Sequence, residues 1–364
     1  MSHESMMARA LILAERGLYT TAPNPRVGCV IAKDDEVLSE GWHQKAGEPH
    51  AEINALNQLD DKSALGADCY ITLEPCSHTG RTPPCADALI KAGIKRAFIA
   101  MADPNPLVAG NGIKKLEQAG ITVVTGLLQQ QAEALNRGFC QRMRQNRPYI
   151  RSKIAMSLDG RTAMASGESQ WITSPDARQD VQKLRAQSGA IVTGIGTVLA
   201  DDPLMTVRPS QWYPQGQTVR QPLKVVVDSQ FKIPKTAKIL SAEGEICIAT
   251  CSDKSKENIA AIKCQYLDEQ IDLTELMSEL AKREINDVLI EAGHQLNGGL
   301  LKAGLIDELV IYMAPKLMGN NAKGLFHLPA LKKMSECIDL TISDIRAVGC
   351  DWRITAKPNH SEKN

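Results

Sequence analysis

A histidine, a glutamate and two cysteines constrain this chain more than any other feature. His50-Ala51-Glu52 follows Pro49 where a helix is predicted to begin. Pro75-Cys76 follows an apolar strand run that starts at Cys69, and Cys85 opens a second helix that Gly93 closes. A fold in which these groups meet must bring two helix starts and a strand end to one point. One imidazole and two thiolates are the ligand set zinc takes when its fourth tetrahedral position stays open for water. The dipole and unpaired N–H groups at both helix starts would favour the thiolates. A water so placed is acidified towards neutrality. Glu52 is not needed to complete the set and can move that proton to a leaving amine. The expectation is one Zn2+ held by His50, Cys76 and Cys85, with Glu52 catalytic. The competing reading is a buried histidine beside two core thiols. His78 stands too close to Cys76 in sequence to be taken as a fourth ligand.

Composition narrows the class. The chain has 364 residues with 42 basic and 42 acidic side chains, hence no formal net charge. That length is about two domains, and the balance excludes a strongly basic nucleic-acid binder. No apolar run approaches the roughly 18–20 residues of a membrane span. The first residues lack the basic-then-apolar pattern of a secretory signal. A cytoplasmic location is therefore expected, with a small-molecule substrate, no nucleic-acid or membrane partner, and homo-oligomerisation left open. Disulfides are rare in that compartment. Cys29, Cys69, Cys140, Cys247, Cys251, Cys264, Cys337 and Cys350 are accordingly read as inert thiols.

Strand and helix runs alternate, which argues α/β architecture with a largely parallel sheet in the first half. That half reads as helix 4–17, strand 28–32, helix 51–59, strand 69–73, helix 85–92, and strands 96–101 and 121–124. A second pattern starts at Tyr149, with strands 150–156, 190–193, 224–228, 246–250, 288–291 and 309–313 and helices near 175–186, 273–283 and 298–303. Between them lie Arg137, Arg142, Arg144, Arg147 and Arg151. They are read as a solvated helix face leading into a connection rather than as a phosphate patch. The domains expected are 1–146 and 147–364.

The His-x-Glu…Pro-Cys…Cys order is that of zinc deaminases, whose cysteines are more commonly Cys-x-x-Cys. Here they are nine apart, so residues 77–84 must loop out and return. The run Thr72-Leu73-Glu74-Pro75-Cys76-Ser77-His78-Thr79-Gly80-Arg81-Thr82-Pro83-Pro84-Cys85 resembles the pyrimidine deaminases of riboflavin biosynthesis. Asn24-Pro25-Arg26-Val27-Gly28, Gly47-Glu48-Pro49-His50-Ala51-Glu52 and Asp103-Pro104-Asn105-Pro106 resemble them too. The resemblance implies a cytidine-deaminase-like fold and a pocket for an aminopyrimidinone bearing a ribose phosphate. It also implies that Asn24, His43, His78, Asp103 and Asn105 line the pocket and that Arg81 meets the phosphate.

The second half carries two glycine-bearing turns after strands, Thr193-Gly194-Ile195-Gly196-Thr197 and Glu291-Ala292-Gly293-His294-Gln295-Leu296-Asn297-Gly298-Gly299. Such turns let a backbone approach a pyrophosphate. Neither completes Gly-x-Gly-x-x-Gly, so a Rossmann fold is not supported. Lys153–Arg161, Glu168–Thr173, Thr197–Pro203 and Leu204–Arg208 resemble the reductase half of bifunctional riboflavin-biosynthesis enzymes, and the order of all motifs matches that family over roughly residues 5–355. The resemblance implies a dihydrofolate-reductase-like second domain using NADPH. It assigns Ala155, Trp171, Thr197, Asp201, Ser229 and the loop Gly293 to Gly299 (Gly293, His294, Gln295, Leu296, Asn297, Gly298, Gly299) to the cofactor. It assigns Ser169, Arg185, Met205, Arg208 and Glu291 to the substrate. Lys153 is a further candidate polar partner for the sugar, and Arg185 and Arg208 suit a phosphate by bidentate pairing. The implied activity is deamination of 2,5-diamino-6-ribosylamino-4(3H)-pyrimidinone 5′-phosphate, followed by reduction of its ribosyl group. The alternative is a zinc deaminase of another nucleobase or nucleotide, with a non-catalytic or RNA-binding second half.

Overall fold

Buried strands in this chain alternate side chains between two packed faces, and this period-2 pattern builds both halves. The computed structural model describes residues 2–60, 63–77, 84–106, 108–213, 215, 218–253, 259–267 and 270–359. It divides into two units, Met1–Asn146 and Arg147–Asn364.

The first unit runs α1 His3–Glu15, β1 Gly28–Lys33, β2 Glu36–Trp42, α2 Ala51–Leu56, β3 Asp68–Ile71, α3 Cys85–Lys91, β4 Arg96–Ile99, α4 Asn111–Gln118, β5 Thr122–Thr125, α5 Gln129–Leu135 and α6 Arg137–Gln145. Its sheet order is β2-β1-β3-β4-β5. β3, β4 and β5 pair in parallel, and β1 runs antiparallel to both β2 and β3. The sheet is therefore largely parallel, as expected, with β1 alone running against the other four strands. The cause is local: Asp34 and Asp35 both take positive φ, 51° and 67°, the two-residue turn that matches strand twist in a hairpin. On one face Cys29, Ile31, Cys69, Ile71, Ala97 and Ile99 pack against α2, α3 and α4. On the other, Val30, Tyr70 and Phe98 pack against Met6, Met7 and Ala10 of α1.

Asn136, fully buried at the start of α6, acts as a clamp. Its Oδ1 accepts from Arg26 N at 2.7 Å and its Nδ2 donates to Arg26 O at 2.9 Å. The segment that follows Asn24 is thereby held as if by a paired strand.

The second unit runs β6 Tyr149–Ser157, α7 Pro175–Gln187, β7 Ala190–Gly194, α8 Ile195–Asp201, β8 Leu223–Val227, α9 Lys238–Ser241, β9 Ile246–Thr250, β10 Ala260–Lys263, the ribbon β11 Tyr266–Leu267 and β12 Gln270–Ile271, α10 Leu273–Lys282, β13 Asp287–Ile290, α11 His294–Lys302, β14 Glu308–Ala314, β15 Leu340–Val348 and β16 Asp351–Pro358. Its nine-stranded sheet is ordered β10-β9-β8-β7-β13-β6-β14-β16-β15. β10 through β14 are parallel along that order. β16 and β15 add an antiparallel edge. Apolar cores cover both faces.

The arginine run is not a plain solvated face. Arg147 makes two hydrogen bonds to Asp307, at 2.8 and 2.7 Å, and Asp307 also accepts from Ile150 N. Arg151 lies on β6, buried, paired with buried Glu308. Arg144 pairs with Glu133 at 2.8 Å. The pattern read as a wet helix therefore includes two cations that fasten β6 to the start of β14.

Asn136→Ala should destabilise the first unit by about 1–3 kcal/mol, because the Arg26 N–H and C=O lose their partners inside the protein. A denaturant melt of the variant checks this; an unchanged midpoint would contradict the clamp.

Candidate active sites

In the first unit the ligand candidates come together. His50 is the N-cap of α2, with extended backbone and no side-chain capping bond. Cys85 is the first residue of α3, behind Pro84. Cys76 lies beyond β3. Cys85 Sγ is 3.3 Å and Cys76 Sγ 3.6 Å from His50 Nδ1. The three ligand atoms all lie within 4.8 Å of one another. Cys85 N donates to Cys76 Sγ at 3.2 Å. Hydrogen bonding with the Cys85 thiol, then with His50, holds the Cys76 thiol well below its usual range. One imidazole and two sulfurs at this spacing fit a zinc ion, whose ligands are neutral His and deprotonated Cys.

Glu52 sits on the first turn of α2, 3% exposed. Burial pushes its carboxyl up to about 7, where a group can both accept and return a proton near neutrality.

Asn24 Nδ2 donates to His43 Nε2 at 3.1 Å, and His43 Nδ1 faces Pro49 O at 3.2 Å. The His43 ring packs edge-on to His50, with centroids 5.5 Å apart. Both nitrogens of His43 are thus engaged within the protein and the residue is buried. It orients Asn24 and the Pro49–His50 segment. Asp103 and Asn105 follow β4, and Asp103 Oδ1 accepts from Asn105 N at 2.8 Å. His78 and Arg81 lie outside the described residues.

In the second unit a cavity of about 860 Å3 opens at the carboxyl ends of the parallel strands. That is near the upper end of the roughly 300–1,000 Å3 of small-molecule and cofactor sites. Lys153 and every second-unit residue assigned above to the cofactor or the substrate, except Gly298, are on its wall. α8 and α11 begin there, capped only by Gly194 and Gly293 and with no side-chain capping bond. Gly196 and Gly293 have nothing within 4 Å of where a Cβ would stand. Two open helix starts beside bare backbone fit the pyrophosphate of a dinucleotide.

Polar groups inside this cavity pair with one another. Arg185 Nε and Nη2 meet Glu291 at 2.6 and 3.0 Å, and Arg185 Nη1 donates to Thr206 O at 2.8 Å. Arg185 is therefore engaged by Glu291 instead of standing open for a phosphate, whereas Arg208 is exposed on the wall. Burial works to raise the Glu291 carboxyl, but Arg185, with Lys153 and Arg208, outweighs it and holds it below the usual carboxylate range. Burial pushes the Lys153 ammonium down. Ser169 Oγ donates to Asp201 at 2.9 Å. Trp171 is 63% exposed, so it is no core residue. Arg178 stacks 4.5 Å from its ring centroid, and Lys316 Nζ donates to its carbonyl at 2.7 Å. Sequence reasoning missed Arg178, although it precedes Arg185 by two helical turns on α7 and so shares its face.

Two expectations about the glycine-rich segment are corrected. Residues 294–299 are not a loop; α11 begins at His294. Gly298 turns away from the cavity, and a Cβ there would lie 2.2 Å from His327 O. Asn297 spends its side chain on Ser152 Oγ and Ala292 O, at 2.7 and 2.9 Å.

Two measurements check these geometries. Cys85→Ser should lose the metal, read by elemental analysis of the folded variant, since a three-ligand site has no ligand to spare. Gly298→Ala should lower the melting midpoint of the second unit through overpacking, by about 1–3 kcal/mol. NADPH affinity of the remaining folded protein should be unchanged; a folded variant with weakened NADPH binding would return Gly298 to the cofactor wall.

Comparison with known proteins now bears on both sites. The cytidine and deoxycytidylate deaminase zinc-binding region matches residues 1–101, and the RibD C-terminal domain matches residues 148–354. The riboflavin biosynthesis protein RibD of Escherichia coli strain K12 is 53% identical, covering 96% of this chain and 98% of that protein. Its counterpart in Haemophilus influenzae is 48% identical, covering 97% and 96%. Acinetobacter baumannii RibD superposes with a TM-score of 0.92 at 45% identity, over 98% of this chain and 99% of that one. A diaminohydroxyphosphoribosylaminopyrimidine deaminase/5-amino-6-(5-phosphoribosylamino)uracil reductase from Thermotoga maritima gives 0.87 at 30% identity, over 98% of both chains. The second half is thus a reductase domain, against the alternative of a non-catalytic or RNA-binding one. With a cytidine-deaminase-like zinc domain joined to a dihydrofolate-reductase-like domain, the chain belongs to the RibD family of bifunctional deaminase–reductases of riboflavin biosynthesis.

Proposed function

We propose that residues 1–146 deaminate 2,5-diamino-6-ribosylamino-4(3H)-pyrimidinone 5′-phosphate, and that residues 147–364 reduce the ribosyl group of the product to a ribityl chain. The observation that carries this reading is the convergence of His50, Cys76 and Cys85 beside buried Glu52. When bound, zinc supplies Lewis acidity that brings a water's pKa towards neutrality, and NADPH supplies a hydride. The chain's residues do the rest. His50, Cys76 and Cys85 hold the metal. Glu52 takes the water's proton and delivers it to the leaving amine. Asn24, Asp103 and Asn105 bind the pyrimidine edge, and His43 keeps Asn24 in place.

In the reductase domain, Arg208 and Ser169 grip the substrate phosphate, and the Arg185–Glu291 pair and Lys153 face the sugar. Met205, buried at the cavity wall, packs against it. The α8 and α11 starts (Thr197; Gly293, His294, Gln295, Leu296) seat the dinucleotide. Ala155, Trp171, Asp201, Ser229 and Gly299 border it, and Asn297 fixes the turn beneath it. Productive reduction needs the nicotinamide held against the sugar carbon more than it needs an acid.

A cytoplasmic setting accords with ten free thiols. Among the described residues no helix is long and apolar enough to cross a membrane. No nucleic-acid partner is proposed, in keeping with zero net charge. Self-association through the β15–β16 edge accords with exposed Leu340, Ile342, Ile345 and Trp352 there. Ile345→Asp should lower the particle mass seen by sedimentation if that edge joins two copies; unchanged mass would place any contact elsewhere.

Glu52→Gln tests the deaminase assignment. The variant should keep its zinc and lose ammonia release by the roughly 10²–10⁴-fold typical of an acid–base group. Deamination at near wild-type rate by a zinc-loaded variant would remove Glu52 from the chemistry.

A further inference from the structure

Glu74 precedes the ligand Cys76 by two residues and is 3% exposed. A buried carboxylate needs partners, and here four of them are backbone N–H groups. Its Oε2 accepts from Asp103 N and Gly110 N, both at 3.0 Å. Its Oε1 accepts from Gly112 N at 2.9 Å and Ile113 N at 3.3 Å. The last two belong to the first turn of α4, whose own N-cap, Gly110, has no side chain to offer. Glu74 thus supplies, from the end of β3, the cap that α4 lacks, and the helix dipole favours its charge. One oxygen also pins both ends of the loop 103–110, which carries Asp103 and Asn105. The packing is close on the same side: a Cβ on Gly112 would stand 2.0 Å from Pro75 O.

We infer that Glu74 is a positioning residue for deamination, fixing the Asp103–Asn105 loop at a set distance from the Cys76 ligand segment. The inference rests on the proposal that Asp103 and Asn105 contact the pyrimidine. Its sequence neighbour Pro75 and ligand Cys76 sit on one side of the carboxylate, the substrate loop on the other. A change at Glu74 therefore moves the loop relative to the reacting centre while leaving His50, Cys76, Cys85 and Glu52 in place.

Glu74→Gln keeps the shape but turns one oxygen into an amide donor facing two N–H groups, so half of the clamp becomes repulsive. The full-length variant should retain its zinc, and its reductase constants on the deaminated substrate should match wild type. Its deaminase KM should rise about tenfold, the worth of one or two substrate hydrogen bonds, with kcat changing much less. Gly112→Ala, whose Cβ would meet Pro75 O at 2.0 Å and Glu74 Cγ at 3.2 Å, loosens the same clamp from the α4 side and should raise KM in the same way; it decides the matter if Glu74→Gln does not fold. A folded, zinc-loaded variant with wild-type KM, or one that loses kcat alone, overturns the inference. Asn105→Ala separates it from the reading beneath it. Wild-type KM in that variant removes the pocket assignment, whereas raised KM there with wild-type KM in Glu74→Gln overturns the role of Glu74 alone.

Discussion

Both sites depend on helix N-termini left without a local cap. The first turn of a helix presents N–H groups with no intrahelical partner, and a fold must satisfy them by some means. Three helices do so locally: Ser2 caps α1, Ser174 caps α7 and Asp272 caps α10. The five helices that begin at the sites, α2, α3, α4, α8 and α11, have no capping side chain of their own. In their place stand His50, Pro84, Gly110, Gly194 and Gly293. The free donors and positive dipole ends are thereby directed at thiolates, at the Glu74 carboxylate and at the space a pyrophosphate would fill.

The two halves use this device for different chemistry. In the deaminase domain the two sulfurs share one proton: hydrogen bonding with Cys85 and His50 holds the Cys76 thiol well below its usual range, while that same bond and burial push the Cys85 thiol up. Burial raises Glu52 in the same site, so the proton carrier is drawn towards the neutral state. In the reductase domain the helix starts face a cavity that already holds one buried ion pair. Arg185 and Glu291 neutralise each other, and Lys153 lies close enough to Glu291 to lower it further.

Much of this was legible in the sequence. Strands such as 190–194 and 287–290 are short, mostly apolar runs, readable because both their faces are buried. The ligand residues were readable as a group because few side chains bind soft metals. What escaped depends on partners distant in sequence or on backbone conformation. The antiparallel hairpin turns on Asp34 and Asp35, a pair that carries no glycine to announce it. β15 is largely exposed at the sheet edge, so no apolar run marks it. Gly298 and Gly299 look alike as neighbours, yet one packs under His327 O and the other reaches the cavity. Glu74 lies within the most recognisable motif of the chain, but its role follows from four N–H groups 29 to 39 residues away. Arg185 looked free for a phosphate only because Glu291 is 106 residues distant.

The central claim is that two separate sites on one chain act in a fixed order, amine loss before reduction. The most direct measurement supplies the diaminopyrimidinone phosphate together with NADPH and follows ammonia and NADPH oxidation in the same sample. The account predicts that ammonia appears first, that NADPH oxidation follows after a lag, and that the two totals converge on one to one. NADPH oxidised ahead of ammonia, or ammonia released with NADPH left untouched, would contradict it.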